Sequence, residues 1–171
     1  MSPPVIGAAN NMKKGFTLVE LLVVITIIGI LSSIGLNTFT SAQMKSRDAR
    51  RKTQLKQLTD AFEAYYNDHG GYPADDGGGN LDGFTWGSSR FEDDKGAVYM
   101  VKLPQDPTVG LTYFYDALPA ATGLNTGFQL YARLENTNDP GLLTFTSPPA
   151  CGTKECNYGV SSSNTTPGAG R

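Results

Sequence analysis

Residues 16–36 form an uncharged, strongly apolar run broken by one ionisable side chain, Glu20. A helix of about 21 residues rising 1.5 Å per residue spans about 31 Å, which matches a bilayer core of roughly 30 Å. The run is therefore expected to be a membrane-length helix. A carboxylate facing lipid about one turn inside it would cost on the order of a few kcal/mol, so Glu20 should have a partner.

The helical pattern does not stop where the apolar run does. From Thr40 to Asp68 there is neither proline nor glycine, and Leu55, Leu58, Phe62 and Tyr65, widened by Ala61, repeat at the three-and-four spacing of one helical face. One helix from Phe16 to about Asp68, on the order of 80 Å long, is the simplest reading, with its second half packed on a head. His69-Gly70-Gly71 stops it. His69 is the sole histidine and reads as a cap or surface residue. The expected organisation is a leader over 1–15, the long helix over 16–69 and one small exported β-rich head over 70–171, closed by a mobile tail. The fold class is α+β.

Charge is unevenly spread. Lys45, Arg47, Arg50, Arg51, Lys52 and Lys56 crowd into a dozen residues opposed by Asp48 alone, whereas beyond Lys56 six basic side chains face fourteen acidic ones. Such a collar reads either as a solvated face near lipid headgroups or as a surface that draws in another subunit's acidic head. Two cysteines, Cys151 and Cys156, read as a disulfide in an exported domain. Closing so short a loop is worth roughly 2 kcal/mol. A zinc site there would lack two ligands.

The first fifteen residues carry a basic pair, Lys13-Lys14, and no apolar stretch, which inverts the order of an ordinary secretory signal. Met12 offers a second start. In Gly15-Phe16-Thr17-Leu18-Val19-Glu20 the chain resembles the type IV pilins and the pseudopilins of type II secretion systems. That resemblance implies a pilin-like fold, cleavage after Gly15 by a prepilin peptidase on the cytoplasmic side, N-methylation of Phe16, and a Glu20 that neutralises the terminal amine of a neighbouring subunit. It also implies a homopolymer, an assembly platform, inner-membrane lipid before assembly and an exported head. Counting Lys and Arg alone, two before the apolar run and six after it, favours the opposite orientation; the motif is followed here. Gly29, Ser33, Asn37 and Ser41 put a small or polar stripe on one face. The resemblance adds that helix near Gly29 can melt in filaments, although many members have proline where Asn37 stands.

In the head, Tyr72-Pro73 marks a turn. The loop 74–96 carries oxygen ligands enough for a structural calcium, with Asp75, Asp76, Asp82, Asp93 and Asp94 as the residues that could hold it, at spacings unlike an EF-hand. Phe84, Trp86 and Phe91 are expected to bury part of that loop. Strands are predicted at 97–103, 111–117, 128–134 and 142–146, as an antiparallel meander. Leu103-Pro104-Gln105-Asp106-Pro107 resembles an element of major pseudopilins, with Thr108 where tryptophan often follows. Asn164-Thr165-Thr166 fits a glycosylation sequon. No motif argues for an enzyme, and only the collar could meet nucleic-acid phosphate. Three functions compete: a pilus subunit serving adhesion, motility or DNA uptake, a secretion pseudopilin, and a membrane-anchored binding module that does not polymerise.

Overall fold

The computed structural model describes residues 15–119 and 123–168, with the backbone alone at 34–37. The leader up to Lys14, including Met1, Met12 and Lys13, and the side chain of Asn37 lie outside the described residues. One helix, α1 (Leu18–His69), runs through the two compact units into which the chain divides, 1–41 and 42–171. It begins two residues later than the pattern suggested, because Thr17 serves as its cap. It ends as expected: Gly70 takes a left-handed conformation at φ 71° and donates its N–H back to Tyr66 O at 2.7 Å.

The first unit is the apolar half of α1. Its polar side chains bond to their own helix, Thr26 Oγ1 donating to the Leu22 and Val23 carbonyls and Ser33 Oγ to Ile30 O. A hydroxyl satisfied this way needs no water, which suits a helix in an apolar medium.

The second unit holds the core. Leu55, Leu58 and Phe62, the face read from the sequence, are wholly buried against Tyr115, Phe128 and Leu130. Each such side chain contributes about 1.5–3 kcal/mol on burial. The sheet facing them has three antiparallel strands in the order β3–β4–β7: β3 (Phe114–Pro119), β4 (Asn125–Ala132) and β7 (Tyr158–Ser161). Two short hairpins complete the head: β1 (Phe91–Glu92) with β2 (Val98–Met100), and β5 (Ala150–Cys151) with β6 (Lys154–Glu155). The Cys151–Cys156 disulfide closes the second of them. Phe91 is buried, with Phe84 and Trp86 packed beside it, so the loop aromatics fall where they were expected.

Two expectations fail here. Residues 142–146 form no strand; Leu143 N–H reaches Asn157 O at 2.8 Å and Phe145 packs edge-on against Tyr131. The open edge of β4 is taken by β7 instead, with Leu130 opposite Val160 and Tyr131 opposite Gly159. A Cβ on Gly159 would lie 2.6 Å from the Tyr131 ring, so only glycine lets this strand come so close. Within the segment beyond Cys156, expected as a mobile tail, Tyr158–Ser161 are thus a strand of the sheet. Ser162 Oγ accepts the Phe128 N–H at 3.0 Å, and Gln129 Nε2 donates to Thr166 O at 3.0 Å.

Candidate functional site

Among the described residues nothing covers the apolar segment: from Phe16 to Leu31 the large hydrophobic residues are 47 % to 85 % exposed. Helix α1 is long and apolar enough to cross a membrane. At its head, Thr17 and Glu20 form a reciprocal cap. Glu20 N–H donates to Thr17 Oγ1 at 3.2 Å, while Glu20 Oε2 accepts from Thr17 N–H at 2.8 Å and Thr17 Oγ1 at 2.7 Å. This is a capping box, legible as Thr-x-x-Glu before an apolar run. The partner expected for Glu20 is thus supplied in part by its own chain. It brings no positive charge, however, and both bonds land on Oε2; among the described residues Oε1 accepts none. A carboxylate in the first turn also favours the positive end of the helix. Gly15 and Phe16 precede the helix, and a side chain added at Gly15 would meet no described atom within 4 Å.

The centre of the basic collar behaves differently from either expectation. Arg51 is fully buried; its Nε and Nη2 grip Asp106 as a fork at 2.7 and 2.8 Å, and its Nη1 reaches Asp48 and Glu135, each at 2.8 Å. Arg47 Nε also donates to Glu135, at 2.8 Å, and Lys52 pairs with Asp139 at 2.7 Å. Lys56 pairs with Asp60 one turn on. Asp48 is locked further by the backbone N–H groups of Glu135 and Asn136. Burial works against the charge of Arg51, but its bonds to Asp106 and Glu135 outweigh that and raise its pKa. Arg47's bond, opposed by burial and reinforced by Arg51 and Thr108, holds the Glu135 carboxyl down at about 2. Four of the six collar cations are therefore paired with acids of their own chain. Lys45 and Arg50 are exposed.

The acidic loop is not one cluster. Asp75 Oδ1 accepts from Gly77 N–H and its Oδ2 from Ala117 N–H, while Asp76 binds the N–H groups of Gly78 and Asn80. These two carboxylates shape turns and hold β3. Asp93 and Asp94 gather elsewhere, beside His69, and Asp82 lines the same groove. Asp106, within the Leu103–Pro107 element, sits in the core on Arg51. Asn164 is exposed, its side chain donating to Thr126 O at 2.8 Å.

A family model described as the prokaryotic N-terminal methylation motif matches residues 10–36. The chain is 38 % identical over 63 residues to the type IV major pilin protein PilA of Myxococcus xanthus, covering 37 % of this chain and 29 % of that protein. It is 33 % identical over 66 residues to the type IV major pilin protein PilE of Neisseria gonorrhoeae, covering 39 % and 40 %. With the fimbrial protein EcpB of Eikenella corrodens the match extends over 114 residues at 34 % identity, covering 67 % and 62 %. The chain thus spans less than two thirds of the length of these relatives. No solved structure matches it.

Proposed function

As a chain that belongs, through its amino-terminal segment, to the type IV pilin family, the protein is, we propose, a structural subunit of a pilus-like extracellular filament and not an enzyme. Before assembly it is held in the cytoplasmic membrane by residues 16–36, with its head exported. A prepilin peptidase cuts after Gly15, and Phe16 becomes the methylated amino terminus. The filament then gathers these helices into a common core.

Burial and one charge pair drive the step. Moving an apolar helix out of lipid is unfavourable unless neighbouring helices cover the same surface. A carboxylate within that surface penalises every arrangement that fails to give it a cation. The observation that carries the proposal is Glu20: an acid whose bonds to the described residues fall on one oxygen only, among exposed apolar side chains. The amine of a neighbour's Phe16 is the cation that such a polymer brings into reach. The disulfide supports export to an oxidising compartment. The pairing of the collar within the head also explains how so many basic residues can lie on the exported side.

Mass spectrometry of filaments sheared from cells tests the proposal. Subunits beginning at methylated Phe16 are expected, and a Gly15→Leu chain should stay unprocessed in the membrane. Subunits starting at Met1 or Met12, or found only as monomers, would instead fit a plain anchor. The Leu103–Pro107 element favours a second reading, a type II secretion pseudopilin, although Asp106 already has work in the core. Genes beside this one decide between them: a retraction ATPase indicates pili, and an outer-membrane secretin with exoprotein machinery indicates secretion.

A further inference from the structure

At the far end of α1, the imidazole of His69 is set up as a ligand without a visible recipient. Its Nδ1 lies 3.1 Å from Tyr65 O, so that nitrogen carries the hydrogen and donates it to a carbonyl of the last helical turn. The Tyr65 ring stacks on the imidazole at 4.0 Å and Tyr99 meets it edge-on, which fixes the ring plane. The Nε2 lone pair then points away from the helix, sealed from solvent and without a hydrogen-bond partner. It lies 3.4 Å from another acceptor, Asp93 Oδ2, which itself accepts from the Tyr99 hydroxyl at 3.4 Å. Asp93 is 5 % exposed, and its Oδ1 is held by the N–H groups of Lys95 and Ala97 at 3.0 and 2.7 Å, which turns Oδ2 toward the imidazole. Asp94, on the solvent side, brings a third donor, and the donor atoms of the three residues all lie within 4.8 Å of one another.

Two lone-pair atoms facing each other in a buried position require a cation between them or a proton shared by them. A shared proton would draw nitrogen and oxygen to about 2.7–2.9 Å, the length of a charge-assisted hydrogen bond. At 3.4 Å they instead stand as two donors do when each lies about 2.0–2.1 Å from one tetrahedral zinc ion. Donation of Nδ1–H to a backbone carbonyl is the usual support for a metal-bound imidazole, and the negative end of a helix favours a cation. We propose that His69, Asp93 and Asp94 bind a divalent transition-metal ion of the zinc class, which clamps the end of α1 to the turn at residues 93–97. The fourth position opens onto a groove of about 460 Å³ also lined by Asp82 and Glu92. Glu92 is engaged with Arg90 at 3.2 Å, so Asp82 is the groove carboxylate left to approach the ion or its water. An imidazole in the set argues against calcium, which takes oxygen ligands. The calcium set expected from the sequence is in any case split, since Asp75 and Asp76 bind backbone N–H groups elsewhere.

Because the chain has a single histidine, the test can be read without assignment. The untagged full-length chain, labelled with ¹⁵N-histidine, is purified in detergent, stripped with a chelator and titrated with zinc chloride. One ion per chain is expected, with a displaced Nε2 resonance and a higher thermal midpoint; calcium chloride should move neither. His69→Ala should weaken zinc binding by more than about tenfold, and Asp94→Asn, a change at an exposed side chain that leaves the fold intact, by about tenfold. An Nε2 resonance that ignores zinc overturns the proposal, as does one that answers equally to calcium. Zinc bound as tightly by His69→Ala overturns it too, by putting the ion elsewhere.

Discussion

Residues 16–36, which open α1, and residues 47–62 further along it treat charge in opposite ways. The first stretch has a single ionisable group, capped by a neighbour that brings no positive charge, on a surface that none of the described residues covers. The second has a crowd of cations, and the most central of them is fully buried among three carboxylates. A charge left half-satisfied on an exposed apolar face is available to another molecule. A charge paired and buried in a core is available to none. On the proposed function the charge offered to a neighbouring subunit is that of Glu20, while the centre of the dense basic run, the more conspicuous feature of the sequence, serves the folding of the head; Lys45 and Arg50 stay exposed.

The comparison is broken most directly at Arg51. Replacing it by methionine leaves Asp48, Asp106 and Glu135 without their shared cation and should destabilise the head by about 3–5 kcal/mol, read as a lower denaturant midpoint at unchanged processing. If Arg51→Met unfolds like the parent, the collar is not a folding element. Glu20→Ala should do the reverse. The head should unfold at the parent midpoint, while loss of the proposed charge pair cuts filament yield steeply in sheared preparations. A normal yield would remove Glu20 from the assembly step.

Acid sharpens the contrast. Glu135 is held at about 2 when folded against an ordinary 4.5, so its contribution is complete above pH 4.5 and is lost as pH falls toward 2. That loss amounts to about 3 kcal/mol at most. Unfolding curves taken across this window should show the decline, and Glu135→Gln should flatten it. The smallest effect is expected at the disulfide: Cys151→Ser with Cys156→Ser should cost about 2 kcal/mol, detectable by thermal melting, and leave processing untouched.

The sequence makes the two ends of this contrast unequally legible. The apolar run and its acid stand out because nothing else in the chain shares their composition. The cap on Glu20 was also readable, as Thr-x-x-Glu, but a search for a positive partner passes over a hydroxyl. Arg51 hides among like charges. Its signal is periodic: extending the stripe of Leu55 and Leu58 back one turn lands on Arg51, with Arg47 another turn earlier, so the basic residues continue the core face. The acids that complete the network come from residues 106 and 135, and no local pattern could have named them. The strand at Tyr158–Ser161 was missed because glycine and serine score poorly as strand formers; pairing with β4 and room for Tyr131 decide it instead.

That late strand affects when the head can exist. Strand β7 follows in sequence every element it closes upon, and the residues after it bond back to Phe128 and Gln129. The head therefore cannot be completed piecemeal while the chain emerges: its sheet waits on a long-range pairing, the slow kind of folding step. Until residues 158–161 arrive, β4 keeps an open edge. If the chain is a filament subunit as proposed, recruitment before that moment would build an unfinished sheet into the filament wall, and the order of the chain would make translation and export a timer on incorporation.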